Sequence, residues 1–177
     1  IGTTWTGEIS GAVAMTWEDL TLDPLEETVN DAFPVTWELD DDGLVTQAGD
    51  LEIDPDSDAG LPEDTSLGDL TSTYAWSSFA DLEAQVVTHG ADEIFSAAWS
   101  WDKVDRVVQS TVIIDGIPTV RAYAYDDAGR LASVTEAGAP LVSCTYDANG
   151  NRTSCAGPGG TESGTTDDRD RLLTWGD

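Results

Sequence analysis

Two stretches of the chain, YAYDDAGRL at residues 123–131 and YDANGNR at residues 146–152, repeat one short pattern. In each, a tyrosine and an aspartate precede two small or polar residues and a glycine. The carboxylate of Asp147 can accept the N–H groups of a turn, and Gly150 can supply the positive φ that closes it. Each copy therefore predicts a strand, a tight turn and a returning strand.

The same pattern recurs along the whole sequence. Its reference position, the residue directly before the turn, falls on Trp17, Leu39, Ile53, Trp76, Trp101, Tyr125, Tyr146 and Thr166. Successive positions lie 22, 14, 23, 25, 24, 21 and 20 residues apart, and we interpret the 14-residue step as a shortened unit. A hairpin alone is marginally stable, so each must lean on its neighbours. We predict an all-β fold of tandem β-hairpins, in which about eight hairpin units form a single domain over residues 1–177.

Alternation along the strands predicts which residues share a face of the sheet. Ala122 and Ala124 point to one face, and Tyr123 and Tyr125 point to the other. Stacked copies then place a ladder of aromatic residues on one face. The residues expected to form the turns and to hold the register are Trp37, Gly43, Trp76, Trp101, Asp102, Tyr125, Asp126, Gly129, Tyr146, Asp147 and Gly150.

One segment also fits a helix. Ser78 and Asp81 resemble a capping box, and Phe79, Leu82 and Val86 lie at helical spacing. In register with the other units, the same stretch is a turn at residues 76–82 and a returning strand at residues 83–88. We favour the strand because eight units share the repeat, whereas the helical spacing covers one short window.

The charge of the chain argues against several classes of partner. It contains 35 acidic and seven basic residues, a formal net charge of −28, and Lys103 is its one lysine. Such a surface repels phosphate backbones and anionic lipids, so we predict no nucleic-acid partner. No run approaches the roughly 18 apolar residues of a membrane span, which predicts no membrane insertion. The chain opens with IGTTW, without an initiator methionine, and we interpret it as a processed product or a segment of a longer protein.

No catalytic motif is evident, and we predict that the chain is not an enzyme. Its one histidine, His89, is expected in a hairpin connection. Asp54, Asp56 and Asp58 alternate as in a calcium loop, but Gly60 falls one place late and the twelfth position is a threonine. We interpret this stretch as a solvated turn, with calcium as the weaker alternative and no cofactor predicted.

The two cysteines lie on either side of one turn and depend on its geometry. If Asn149 and Gly150 form a two-residue type I′ turn, Cys144 faces Cys155 and a disulfide can form. If residues 148–150 form a three-residue loop with a glycine bulge, Cys144 faces Ser154 instead, and the two cysteines point to opposite sides. The D-x-x-G spacing favours the bulged loop, and the disulfide remains the alternative.

These repeats resemble the Rhs or YD-repeat family. YDDAGRL, YDANGNR and DRDRLLTWG carry the resemblance, and WTGEISG and DDDGLVTQAG extend it over almost the entire chain. The resemblance implies a continuous, spiralling antiparallel sheet, shell-like or solenoid. Bacterial members of the family can enclose a toxic domain, and animal relatives belong to cell-surface adhesion proteins. This sequence departs from the family pattern because tryptophan often replaces the first tyrosine and the acidic excess is heavy.

From this resemblance we expect a non-catalytic structural module at an extracellular or cell-surface location. It would form the wall of a shell, a tube or a head-to-tail filament. The alternatives are an adhesion or recognition module and a shell segment around a toxin domain. Neither end of the chain carries the residues that normally blunt a sheet edge. The expected partners are therefore adjoining repeats of a longer chain or copies of itself, joined through open sheet edges.

Overall fold

The computed structural model describes residues 2–6 and 10–176, and within them every regular element is a β-strand. The strands are β1 (Gly2–Trp5), β2 (Gly11–Trp17), β3 (Pro24–Val29), β4 (Ala32–Leu39), β5 (Val45–Ala48), β6 (Leu51–Pro55), β7 (Pro62–Leu67), β8 (Leu70–Trp76), β9 (Leu82–His89), β10 (Asp92–Trp101), β11 (Val107–Ile114), β12 (Ile117–Tyr125), β13 (Leu131–Glu136), β14 (Ala139–Tyr146), β15 (Arg152–Gly157), β16 (Gly160–Thr166) and β17 (Leu172–Trp175). The predicted all-β fold is confirmed. In the part of the chain that the structure describes, no helix is long and apolar enough to cross a membrane.

Each even-numbered strand is followed by a turn and pairs antiparallel with the next odd-numbered strand. Within the described residues this gives eight hairpins, which we number 1 to 8 from β2–β3 to β16–β17. Their even strands end at Trp17, Leu39, Pro55, Trp76, Trp101, Tyr125, Tyr146 and Thr166. The predicted reference position is wrong in hairpin 3. The turn there begins at Asp56, so the residue before it is Pro55 and not Ile53.

One turn conformation recurs in these hairpins. In hairpin 6 the backbone N–H of Asp126 donates to the carbonyl of Arg130 (2.9 Å), and that of Gly129 donates to the carbonyl of Asp126 (2.9 Å). Hairpins 2, 4, 5, 7 and 8 have the same two bonds, and hairpins 1 and 3 have turns one residue longer. The repeat in the sequence therefore corresponds to a repeat in backbone geometry.

A β-bulge follows each of these turns. In hairpin 6, Tyr125 pairs with Leu131 whereas Ala124 pairs with Ser133, so that Ala132 is the extra residue. All eight described hairpins shift register at the corresponding step. A bulge increases the local twist of a strand pair, so every hairpin twists at the same place.

The segment with helical spacing forms a strand. Ser77 to Asp81 form the turn of hairpin 4, and β9 runs from Leu82 to His89 against β8. Phe79, which a helix would have buried, is 83% exposed at the tip of the turn. Pairing with β8 outweighs the local helical pattern, and the interpretation from register is confirmed.

Contacts group the strands into two compact units, residues 1–94 and residues 95–177. In the first unit β1 to β9 pair antiparallel in sequence order, and in the second β10 to β17 do the same. Hairpins 1 to 4 belong to the first unit and hairpins 5 to 8 to the second. The single domain expected for residues 1–177 stays a prediction.

The two faces of the strands differ in burial. Tyr123 and Tyr125 are half-buried, whereas the alternating Ala122 and Ala124 are exposed. Among the described apolar residues, Ala97 and Val134 are buried, with 3% and 7% of their surface exposed. Most of the apolar contact within each unit therefore comes from half-buried side chains on one face of its strands.

Candidate functional site

In hairpins 2 to 8, the side chain that directly follows the even-numbered strand accepts backbone N–H groups of the turn. In hairpin 6, Asp126 Oδ1 accepts the backbone N–H groups of Ala128 (3.0 Å) and Arg130 (2.9 Å). Asp126 Oδ2 accepts the guanidinium of Arg130 through Nε (2.7 Å) and Nη2 (2.7 Å). One carboxylate thus closes the turn and fixes the arginine that begins the returning strand.

The other turns keep this arrangement with substitutions. Asp102 holds Arg106 and Asp167 holds Arg171 in the same way, while Asp147 accepts the side-chain amide of Asn151. In hairpin 4 a serine begins the turn and the carboxylate lies at its end. Ser77 Oγ accepts the N–H groups of Phe79 and Asp81, each at 3.1 Å, and donates to the Asp81 carboxylate (3.0 Å).

These bonds lower the pKa of the turn aspartates. The side chain of Arg106 is the main cause for Asp102, that of Asn151 for Asp147, and that of Arg171 for Asp167. For Asp126 the backbone N–H of Arg130 contributes most to the lower pKa, and for Asp56 that of Ala59 does. All five carboxylates are therefore ionised at neutral pH.

The arginine of one hairpin also contacts the tyrosine of the next. The Arg130 guanidinium lies 4.6 Å from the centre of the Tyr146 ring, and its Nη1 donates to the Asp147 carbonyl (2.9 Å). The Tyr146 hydroxyl donates back to the Leu131 carbonyl (2.8 Å). We call this pair of contacts, arginine over ring and hydroxyl to backbone, a clamp.

A second clamp joins hairpins 5 and 6. Arg106 lies 4.5 Å from the centre of the Tyr125 ring, and the Tyr125 hydroxyl donates to the Val107 carbonyl (2.7 Å). Hairpins 3 and 4 keep half of the arrangement, since Trp76 Nε1 donates to the Pro62 carbonyl (2.8 Å). Tryptophan can replace the tyrosine here because its indole N–H reaches the same backbone acceptor.

The residue two positions before the reference position faces a residue of the returning strand across the hairpin. Trp37 faces Ala48, Trp99 faces Ser110, and Tyr123 faces Val134, so a large side chain meets a smaller one. In hairpin 8 the sizes are reversed, and the partners are Gly164 and Trp175. A large side chain on one strand is thus matched by a small one on its partner, so the combined side-chain volume fits between the paired strands.

In hairpin 7 these two positions carry cysteines, and Cys144 and Cys155 form a disulfide. The loop has the three residues favoured from the sequence, but the expectation that Cys144 would then face Ser154 is wrong. Thr153 bulges out of the ladder, so Ser154 pairs with Thr145 and the cysteines become partners.

The predicted turn glycines have the backbone conformation that the turn requires. Gly43, Gly129 and Gly150 have φ values of 81°, 79° and 96°. In other hairpins the same position is occupied by residues that carry a side chain: Leu22, Ala80, Asp105 and Asp170. The two clamp arginines, Arg106 and Arg130, were not predicted from the sequence, although both stand five residues after a reference position, as Arg171 does.

The acidic stretch considered for calcium forms a turn. Asp56 Oδ1 accepts the N–H groups of Asp58 (2.6 Å) and Ala59 (2.7 Å), while Asp54 lies within β6. Across the described residues, no three histidine, cysteine or acidic side chains are grouped so that they could hold a metal ion. His89 is exposed at the end of β9, next to the connection where it was expected.

Comparison with known families and structures agrees with this geometry. The sequence model of the teneurin YD-shell family matches residues 33–177. A Tc holotoxin pore from Photorhabdus luminescens that carries a TccC3 mutation superimposes with a TM-score of 0.76 at 16% identity, over 96% of this chain and 11% of that chain. A crystal structure of TcdB2-TccC3 gives a TM-score of 0.74 at 15% identity, over 94% of this chain and 10% of that one.

The chain thus spans about a tenth of the length of these structures. At this level of identity the likeness applies to the fold. A comparison with curated protein sequences gives no match.

Proposed function

Because this chain belongs to the teneurin YD-shell family, we propose that it forms part of the wall of a protein shell and has no catalytic role. The observation that carries the proposal is the pair of clamps, Arg106 with Tyr125 and Arg130 with Tyr146. Isolated hairpins are marginally stable, and these clamps join hairpin 5 to hairpin 6 and hairpin 6 to hairpin 7. A wall requires such lateral joints.

The state of the turn aspartates supports a non-catalytic role. Asp102, Asp126 and Asp167 already accept backbone and guanidinium donors, and their lowered pKa keeps them ionised. A general acid at neutral pH needs a raised pKa, and a general base needs free lone pairs. These carboxylates are therefore suited to holding turns.

We further propose an extracellular or cell-surface location. The Cys144–Cys155 disulfide supports it, because such bonds persist in oxidising compartments. A second candidate function is a shell segment of a toxin complex. The superposition on TcdB2-TccC3 over 94% of this chain favours that candidate.

The partners we propose are adjoining repeats or further copies, paired at the outer edge of β17. Arg171 is held by Asp167 as the clamp arginines are held by their aspartates (Nε–Oδ2 2.7 Å). Its side chain is 70% exposed, compared with 33% for Arg106 and 30% for Arg130, which lie over rings. Arg171 is therefore positioned to receive a tyrosine from another hairpin.

A synthetic peptide of residues 117–136, the whole of hairpin 6, tests this edge. We expect it to bind the chain and to slow amide exchange in residues 172–175, with Tyr125 over Arg171. Arg171→Ala in the chain and Tyr125→Ala in the peptide should each weaken binding. Absence of binding, or equal binding by these variants, would overturn the proposed extension of the wall.

A further inference from the structure

The junction between hairpins 7 and 8 lacks a clamp. Asn151 stands where the arginine stands in hairpins 5 and 6, and Thr166 stands where the next tyrosine would be. A groove of about 530 Å³ opens at this junction. The residues that line it are Tyr146, Asn151, Arg152, Thr166, Asp170, Leu172 and Trp175. The space that a phenol ring fills at the two preceding junctions is therefore open here.

The aromatic walls of the groove are held in place. Trp175 lies under the Arg152 guanidinium (4.4 Å to the ring centre), and its Nε1 donates to Glu162 (2.6 Å). The ring lies against Gly164, where a Cβ would come within 2.5 Å of Trp175 Cε3. On the other side, Tyr146 is fixed by its own clamp. The walls are thus preorganised, which lowers the entropic cost of binding.

The floor of the groove is tied together by other bonds. Asp170 Oδ1 accepts the side-chain amides of Asn149 (3.0 Å) and Asn151 (2.7 Å), so the turns of hairpins 7 and 8 are joined without an arginine. The Arg152 carbonyl occupies the position of the Val107 and Leu131 carbonyls, each of which accepts a tyrosine hydroxyl. A hydrogen-bond acceptor therefore stands where a phenol needs one.

We propose that this groove binds a phenol ring, the tyrosine side chain of a cationic peptide segment. The ring would lie between Tyr146 and Trp175, and its hydroxyl would donate to the Arg152 carbonyl. Two charged residues line the groove, Asp170 and Arg152, and the Arg152 guanidinium is already held over the Trp175 ring. The chain carries a net charge of −28, of which −5 lies in the unit that holds the groove, so a positively charged segment is favoured over an acidic one. The groove needs the folded chain alone and does not depend on shell formation.

Tyramine, a phenol with an ammonium group, is a suitable probe for chemical-shift titration. We expect saturable binding with a Kd of about 1 mM and shifts confined to the lining residues. Phenethylamine, which lacks the hydroxyl, and 4-hydroxyphenylacetate, which carries the opposite charge, should each bind at least several-fold more weakly. If butylamine binds as tightly as tyramine, charge alone explains the binding and the proposal fails.

The variant Thr166→Tyr fills the groove from within the chain. We expect it to lose at least tenfold in tyramine affinity while its melting temperature stays at or above that of the parent. Thr165→Tyr, on the opposite face of the same strand, is the matched control and should bind tyramine normally. Unchanged binding by a folded Thr166→Tyr variant, or no saturable binding by the parent, would overturn the site. The hairpin peptide should still pair with the β17 edge of Thr166→Tyr, which separates this test from that of the wall.

Discussion

The two units of the chain build the same hairpin from different residues. Residues 1–94 contain 23 acidic residues and no lysine or arginine, a formal charge of −23. Residues 95–177 contain 12 acidic residues and all seven basic ones, a formal charge of −5. Yet hairpins 2 and 4 have the same turn as hairpins 5 to 8, and all eight described hairpins share the bulge.

This difference separates what forms a hairpin from what joins hairpins. In hairpin 2, Asp40 Oδ1 accepts the N–H groups of Asp42 and Leu44, each at 2.9 Å, without any guanidinium. The turn therefore needs a short acceptor side chain and a positive-φ residue. Arginine adds a contact to the neighbouring hairpin, and in the acidic unit Trp76 supplies part of that contact instead.

The largest expected effect comes from valine at a turn glycine. Gly129 and Gly43 have nearly equal φ, but a Cβ on Gly129 would lie 3.4 Å from Arg106 Nη1, whereas one on Gly43 meets nothing within 4 Å. The γ-methyls of Gly129→Val would displace the clamp, so we expect a loss of about 3 kcal/mol against about 1.5 for Gly43→Val. Urea unfolding measures both. Gly159→Val, in open space, should be near neutral, and equal losses at Gly129 and Gly43 would contradict a role for the clamp.

Salt should act mainly on the acidic unit. Repulsion among exposed charges is screened within roughly 10 Å at 0.1 M salt. Between 0.05 M and 1 M NaCl we expect amide exchange in residues 1–94 to slow by about tenfold or more, and in residues 95–177 by less than about threefold. Exchange measured by mass spectrometry resolves the two units. Equal slowing in both would show that the charge difference has no effect on stability.

The hydroxyl of a clamp tyrosine should contribute measurably to the free energy of unfolding. Tyr146→Phe removes the bond to the Leu131 carbonyl but keeps the ring under Arg130, so we expect a loss of about 1 kcal/mol. Tyr74→Phe in the acidic unit is the matched control, since the Tyr74 ring stacks on Trp76 and no tyrosine–backbone clamp is found for it among the described residues. A loss at Tyr74 as large as that at Tyr146 would remove the distinction between the units.

A glycine placed at a strained turn position should stabilise the chain. Ala80 has φ 66°, a conformation that costs a residue with a Cβ roughly 1 kcal/mol. We expect Ala80→Gly to raise the free energy of unfolding by about 0.5 kcal/mol, and Asp105→Gly to raise it less because aspartate tolerates this region. Thermal unfolding compares the two, with the strand residue Ala84→Gly as a destabilising control.

Acid should affect the stability of the two units differently. The expected change per residue is the smallest of those predicted. The pKa of Asp102, Asp126, Asp147 and Asp167 is lower in the folded chain than the ordinary value near 3.9. Their stabilisation is therefore complete above that value and is lost as the pH falls through the folded pKa. We expect residues 95–177 to lose protection from exchange between about pH 5 and pH 2. In residues 1–94 the pKa of Asp56 is lowered in the same way, but protonation in that unit also relieves repulsion among its many carboxylates, so a larger loss there would refute this account.

The sequence predicted the hairpins well because their turns are local. A strand end, an aspartate and a glycine occur within five residues, and that spacing located seven of the eight reference positions. Hairpin 3 failed because Ile53-Asp54 and Pro55-Asp56 both fit the pattern. Pairing with β7 places the turn after Pro55, and the spacing alone cannot decide between the two.

The candidate site was predicted in part. Tyr125, Asp126 and Gly129 were identified, but the arginine that joins one hairpin to the next was not. Arg106 lies in hairpin 5 and Tyr125 in hairpin 6, and their contact depends on how these two strand pairs are aligned side by side. The groove beside Thr166 could not be predicted from the sequence for the same reason. A missing clamp can be recognised at a junction only when the clamps at the other junctions are known.

The sequence alone determined the fold class, the number of hairpins and the chemistry of each turn, since these depend on side chains bonding to backbone a few residues away. Tertiary structure decided the strand register, the clamps and the cysteine pairing. The bulge at Thr153 shifts β15 by one residue and so brings Cys155 opposite Cys144, in place of Ser154. Because side chains alternate between the faces of a strand, a shift of one residue changes every partner, and strand pairing over the whole hairpin sets that shift.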